Sequence, residues 1–183
     1  MAAYLGGDRE AFEVLFERYR DSIFAFLSHH CGSPTAAEDL FQEVFLRVAR
    51  SHKTFQQPES FRAWVFMIAR NLSTDYHRRL SIHRKAPLAV IESQARTLDP
   101  FSDPDRRLES KELGLRIVKA LSKLPEDQRD VFLLRERGGL EFQAIARITG
   151  ENLSTVKSRM RYALHTLREA LEIDRSLHLG GKS

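Results

Sequence analysis

Leu140 to Leu171 reads LEFQAIARITGENLSTVKSRMRYALHTLREAL, and it decides what kind of protein this is. Phe142, Ile145, Ala146 and Ile148 recur at spacings that give a short helix one apolar face. Gly150 follows, the residue that most easily takes the left-handed conformation of a helix stop. Asn152 is placed to cap a second helix, its side-chain oxygen accepting an N–H of the first turn. In that second helix Val156, Met160, Ala163, Leu164, Leu167 and Leu171 form the expected buried stripe. The outward leading face carries Ser154, Thr155, Lys157, Ser158, Arg161 and Tyr162, with Arg159 at its edge. A helix start lined with hydroxyls and cations suits phosphates and base edges in a major groove. The arrangement is a helix-turn-helix with its second helix as reader. An ordinary helix pair with a solvated basic face is the plainer reading of any basic amphipathic helix. The agreement of glycine turn, cap and basic leading face favours DNA binding.

Working outward, the chain has 183 residues, enough for one sizeable domain or two small ones. Hydrophobic residues make up 42% of it, as in a foldable chain, and no apolar run approaches a membrane span. The N-terminal stretch MAAYLGGDREAFEVLF has acidic residues where a secretory leader would be basic, so no signal peptide is expected. The single cysteine, Cys31, cannot form an internal disulfide, which fits a reducing cytoplasm.

The net charge of +4 is unevenly spread. Residues 1–50 carry 5 Lys/Arg against 8 Asp/Glu, whereas residues 51–86 carry 7 against 2. The positive field is therefore expected at 51–86 and on the 154–161 face, the two places a polyanion would sit.

A helical pattern runs from Asp8 to Leu27, with Phe12, Leu15, Phe16, Tyr19, Ile23 and Phe26 on one face. His29, His30 and Cys31 end it; adjacent residues diverge and no second ligand cluster follows, so a helix end is expected there rather than a metal. Thr35 with Glu38 has capping-box spacing for a helix over about 36–50. Phe41, Val44, Phe45 and Val48 form its inner stripe, and Glu38, Asp39, Gln42, Glu43, Leu46 and Arg47 its outer face, with Leu40 at the margin. That face is either simply solvated or a protein-docking surface. A third helix has Phe61, Trp64, Val65 and Ile68 inside, and the weak helix formers Asn71, Ser73 and Thr74 predict a break. Asp75, Tyr76, His77, Arg78, Arg79, Arg84 and Lys85 then make a basic stretch with an aromatic, a pattern that suits single-stranded nucleic acid. Pro87, Pro100 and Pro104 punctuate a non-periodic, partly acidic segment read as a flexible linker. Another helix is expected over 108–121, with Pro125 starting the next. The fold class expected is all-α, two small helical domains joined by a flexible linker: residues 1–85, a linker over 86–110, a helix-turn-helix domain over 111–176 and a tail over 177–183.

In this order AAEDLFQEVFLRVAR (36–50), FRAWVFMIARNLSTDYHRR (61–79) and LSKLPEDQRDVFLLRERGGLEFQAIARITGENLSTVKSRMRYAL (121–164) resemble a bacterial RNA polymerase sigma factor of the extracytoplasmic-function group, within the sigma-70 family. The resemblance covers nearly the whole chain apart from the linker and tail. It implies a sigma2-like first domain and a sigma4-like second one. It further implies that Asp39, Gln42 and Glu43, with Glu38 and Arg47 beside them, dock on the β′ clamp helices of core polymerase. Arg70, Asn71, Asp75, Tyr76, Arg78 and Arg79 would line the surface that recognises and opens the −10 element. Ser154, Thr155, Lys157, Ser158, Arg159 and Arg161 would face the −35 major groove. The linker would thread the RNA exit path, where its acidic tract imitates nucleic acid. The implied partners are core RNA polymerase, promoter DNA and an anti-sigma protein, in the cytoplasm or held at the membrane by that partner. No cofactor or metal is implied, and no enzymatic activity: no nucleophile–base–orienter spacing and no glycine-rich phosphate loop is present. Two departures from the family pattern are expected to matter locally. Glu141 replaces a serine cap and should weaken a helix start, and Glu151 replaces an apolar residue and should loosen the turn. The rival readings are a free-standing helix-turn-helix regulator and a sigma-like module that only binds an anti-sigma protein.

Overall fold

A computed structural model describes residues 9–50, 60–83, 114 and 116–179, and no strand occurs among them. The helices are α1 (Arg9–Cys31), α2 (Pro34–Arg50), α3 (Phe61–His83), α4 (116–122), α5 (Glu126–Glu136), α6 (Phe142–Thr149) and α7 (Leu153–Leu179). The fold is all-α, as the periodicity requires. The 86–110 linker lies outside the described residues.

Helices α1 to α3 pack on one another as the first unit. Ile23, Phe26 and Leu27 of α1 are buried against Ala37, Val44, Phe45 and Val48 of α2 and Phe61, Trp64, Val65, Phe66, Ala69 and Leu72 of α3. Each large side chain buried in this way contributes about 1.5–3 kcal/mol. Phe16 meets Phe45 edge-on at 4.7 Å between ring centroids, and Phe26 meets Phe66 at 5.6 Å and 88°, the geometry aromatic quadrupoles prefer.

Two local expectations change. Helix α2 begins at Pro34, the position where a missing N–H costs nothing, and its first turn is capped by Ser33, whose Oγ accepts the Ala36 N–H at 3.4 Å. Thr35 is exposed and is not the cap. Helix α3 continues unbroken through Asn71, Ser73 and Thr74. Ser73 is buried there and donates its hydroxyl to the Ala69 carbonyl at 2.9 Å, so its polar atom is satisfied within the helix and does not compete with it.

The second unit is α4 to α7. Gly150 takes φ 74°, ψ 18°, its N–H closing on the Ala146 carbonyl, and Asn152 Oδ1 accepts the Thr155 N–H at 2.8 Å. Val156, Met160, Ala163, Leu167 and Ala170 are buried in α7, whereas Leu164 is 47% exposed. At 3.6 residues per turn Leu164 lies about 80° from the Val156 direction, outside the stripe the others share. Helix α7 extends to Leu179, so residues 177–179, read as tail, are helical.

The two units also pack together. Helix α1 lies against α5 and α3 against α6, and the buried apolar side chains of both units form one cluster. At their junction Asp130 of α5 is 1% exposed and accepts from two residues of the first unit. His30 Nε2–H donates to its Oδ1, and Arg70 Nε–H to its Oδ2 at 2.7 Å. The His30 carbonyl in turn accepts from Arg129 at 3.2 Å and from His77 at 3.0 Å. The His-His-Cys run therefore ends α1 with three separate roles. His29 donates to the Ala25 carbonyl at 2.6 Å, His30 reaches Asp130, and Cys31 is buried, its thiol pushed up to about 11 by that burial.

A Cβ added at Gly150 would meet no atom within 4 Å, so Gly150→Ala encounters strain in φ alone. It should cost about 1–2 kcal/mol and lower the thermal midpoint by several degrees, measured by circular dichroism. Burial holds the imidazoles of His29 and His77 below the ordinary 6.5, aided at His29 by Arg137 and at His77 by His30. On acidification the unfolded chain takes up protons first, so stability falls as pH drops below about 6.5. The melting temperature should be lower at pH 5.5 than at pH 7.5, and His77→Gln should shrink the difference; a midpoint flat across this range would refute the assignment.

Candidate nucleic-acid and protein interfaces

The helix-turn-helix is held in register by the turn itself. Gly150 closes α6, Asn152 caps α7, and Ser154 Oγ also donates to Asn152 Oδ1 at 2.6 Å. The cap fixes the angle at which α7 leaves the turn, and so the direction in which its first two turns project. Lys157 and Arg161 are exposed one turn apart, with Ser154 exposed and Thr155 and Ser158 half-buried beside them. Arg161 lies with its guanidinium carbon 5.3 Å from the Tyr162 ring centroid, and Tyr162 is 52% exposed. The ring steadies the cation while leaving its donors at the surface.

Arg159 is differently occupied. Its Nε pairs with Asp127 at 2.8 Å and its Nη2 with Glu151 at 3.0 Å. The guanidinium thus ties the start of α5 and the turn to α7, in place of the groove-facing orientation expected for it. The same contacts correct the reading of Glu151, which ties the turn down and does not loosen it. Glu141, as expected, makes no side-chain cap bond to α6.

On α3, Asn71, Arg78 and Arg79 are exposed and Asp75 and Tyr76 half-buried. Arg78 Nη2 pairs with Asp75 at 2.8 Å across one turn, and Tyr76 stacks edge-on to His77 at 5.5 Å. Arg70 stands one face apart from this group, its side chain 24% exposed and engaged with Asp130. Asn71, Arg78 and Arg79 thus lie on the exposed side of α3, with Asp75 paired to Arg78, while Arg70 engages Asp130.

On α2, Glu38, Asp39, Gln42 and Arg47 are exposed and Glu43 half-buried, with Arg47 Nε on Glu43 at 2.8 Å. Leu46 is 48% exposed beside them. An acidic rim around an exposed leucine has the composition of a protein-docking surface, with complementary charge to set orientation and an apolar contact for affinity.

Sequence reasoning missed His30, Arg129 and Asp130. A signal was present: His30 continues the Ile23, Phe26, Leu27 stripe, and Asp130 lies on the face of Leu133 and Leu134. A charged residue in an apolar stripe must find a partner. The partner lies 100 residues away, which periodicity does not reach.

Comparison with known proteins follows the same division. Residues 15–82 match the family described as Sigma-70 region 2, and residues 114–167 match Sigma-70, region 4. The ECF RNA polymerase sigma factor SigX of Bacillus subtilis is 30% identical over 165 residues, spanning 90% of this chain and 85% of that protein. The ECF RNA polymerase sigma-E factor of Escherichia coli is 29% identical over 173 residues, 91% of this chain and 87% of that one. Among solved structures, the sigma factor RpoE of Bartonella quintana, in complex with the anti-sigma factor NepR, has a TM-score of 0.70 at 26% identity, covering 90% of this chain and 99% of that one. CnrH, in complex with the cytosolic domain of CnrY, shares the fold at a TM-score of 0.70 and 23% identity, over 94% and 95% of the two chains. With both regions matched in order and a relative 30% identical over 90% of the chain, the chain belongs to the ECF RNA polymerase sigma factors, the alternative sigma factors that direct promoter-specific transcription initiation.

Proposed function

We propose that this sigma factor divides its work among the three surfaces described above. The outer face of α2, with Glu38, Asp39, Gln42, Glu43 and Arg47 around Leu46, docks on the β′ clamp helices of core polymerase. The outward run of α3, with Asn71, Asp75, Tyr76, Arg78 and Arg79, receives the −10 element, and Arg70 joins it when freed from Asp130. The leading face of α7 enters the −35 major groove, with Lys157 and Arg161 as its principal cations, Ser154, Thr155 and Ser158 as smaller hydrogen-bonding groups, and Arg159 as the residue that sets the helix against α5.

The observation that carries this reading is the capped start of α7, with Lys157 and Arg161 exposed on the projecting face of a turn fixed by Gly150 and Asn152. On α3 the chemistry differs in kind. A half-buried aromatic beside exposed arginines suits unstacked bases, and unstacking is cheapest at flexible A·T-rich steps. No catalytic constellation is assigned; polymerisation chemistry belongs to the core enzyme. Relatives crystallised with anti-sigma partners support an anti-sigma protein as the regulator here too. No described helix is long and apolar enough to cross a membrane. The sigma-factor relatives support action in the cytoplasm, with any membrane tether supplied by that regulator.

The decisive experiment is in vitro transcription with bacterial core polymerase on the DNA upstream of this protein's own gene. A discrete start that requires the chain is expected. Arg161→Ala should weaken upstream duplex binding by about tenfold, within the 1–3 kcal/mol of one base-edge contact, and Lys157→Ala should lower the salt slope by about one. Unchanged promoter output in both variants would defeat the assignment of α7. Asp39→Ala with Glu43→Ala should abolish co-purification with core polymerase while duplex binding persists; a free-standing regulator would keep its transcriptional effect in that variant.

A further inference from the structure

Arg159 occupies a different side of α7 from the cations assigned to the groove. Two residues, about 200° of helical rotation, separate it from Lys157 in one direction and from Arg161 in the other. Those two are exposed, whereas Arg159 lies at the edge of the stripe formed by buried Val156, Met160 and Ala163, its side chain 23% exposed. Its guanidinium is directed at two carboxylates, Nε to Asp127 at 2.8 Å and Nη2 to Glu151 at 3.0 Å. Both carboxylates stand on fixed backbone. Asp127 lies in the first turn of α5, where its Oδ1 also accepts the Gln128 N–H at 3.0 Å. Glu151 directly follows Gly150, and its N–H donates to the Ala146 carbonyl at 3.0 Å. One planar cation therefore joins α5, the turn and α7 through two separate nitrogens.

We infer that Asp127, Glu151 and Arg159 are positioning residues for the −35 contact: without touching DNA, their ion triad fixes the tilt of α7 and with it the choice of base sequence. This role presupposes the assignment of α7 to the −35 groove. A rigid helix needs two fixed points to define its direction. Asn152 supplies the first, its Oδ1 accepting the Thr155 N–H at the helix start. Arg159 supplies the second, seven residues and about 10 Å further along the axis. Lys157 and Arg161 flank it at about 3 Å of rise on either side, so any tilt allowed at Arg159 passes directly to both. The two kinds of DNA contact respond differently to such a tilt. A flexible cation follows a phosphate through small displacements, because its attraction is one between charges and carries no sequence information. A hydrogen bond to a base edge needs its donor close and nearly in line, so it is lost first. The triad's side chains are 23% to 46% exposed, and water screens them. Such pairs contribute little to the stability of the unit while still selecting one orientation of the helix. Sequence discrimination and stability thereby become separable measurements.

Duplex binding by the full chain tests this role. The probes are the duplex that the wild-type chain enriches from a random pool and a scrambled duplex of equal length. Each is titrated over a range of salt, with circular dichroism and the thermal midpoint as controls for folding. Arg159→Met should weaken binding to the selected duplex by about tenfold, the loss of one base-edge contact, and leave the scrambled duplex within about twofold. The slope of log affinity against log salt should not change, because Arg159 neutralises no phosphate. Glu151→Ala should act in the same direction. Arg159→Lys, whose compact ammonium cannot serve both carboxylates, should recover only part of the discrimination. A salt slope smaller by about one in Arg159→Met, or tighter binding to both duplexes in Glu151→Ala, would make Arg159 a direct phosphate contact and overturn the positioning role. Equal losses on both duplexes, or full discrimination retained in Arg159→Met, overturn it as well. If Arg159→Met fails to fold, Glu151→Ala and Asp127→Asn, which each leave one ion pair in place, are judged by the same ratio. Failure of all three to fold also overturns it, because the triad would then serve the fold alone. A wild-type chain that enriches no sequence defeats the assignment of α7 and the positioning role with it, whereas a selective wild type with equally selective variants defeats the positioning role alone.

Discussion

One carboxylate holds the observed arrangement together. Asp130 is removed from water with no apolar reason to be there, and burial alone would press it toward its neutral form. His30 and Arg70 outweigh that pressure and hold its pKa below the ordinary carboxylate range. The three groups come from three helices in two different units, so the ion cluster fixes how the units meet while contributing little to either one's own stability. Apolar contact supplies the area of the junction; the charged cluster supplies its register, because a carboxylate without both donors would be a buried uncompensated charge.

Within each unit the logic is different. The first unit is an apolar solution: aromatic edges at Phe16, Phe26, Phe45 and Phe66 fill the space between α1, α2 and α3 and leave one face of α2 and one of α3 for other uses. Around the turn of the second unit, ionic and capping contacts add to the buried Ile145, Ile148 and Val156. Asn152, Glu151, Asp127 and Arg159 together set the angle of α7. A helix that must project into a groove needs a fixed departure angle more than it needs one further cation, which accounts for the inward engagement of Arg159.

The candidate interfaces were legible to different degrees. The outward positions of α2 and α7 follow from helical periodicity because exposure there is the complement of a clear apolar stripe. Arg78 and Arg79 follow from composition. Arg70 and Arg159 did not follow, since an arginine beside a stripe can turn outward to a polyanion or inward to a carboxylate, and only the position of the carboxylate distinguishes the two. Thr35 and Ser33 were a similar ambiguity on a smaller scale: either hydroxyl could cap, and the backbone entering α2 chose the earlier one.

The amino-acid sequence by itself determined the all-α class, the turn at Gly150, the cap at Asn152 and the faces of α1, α2 and α7, because each depends on interactions between residues within about one or two helical turns. Tertiary structure alone decided that Asp130 meets His30 and Arg70 across 100 and 60 positions. That pairing depends on which surfaces approach one another in space. Local periodicity marks a polar residue in an apolar stripe as needing a partner, and only the packed chain says which residue that partner is.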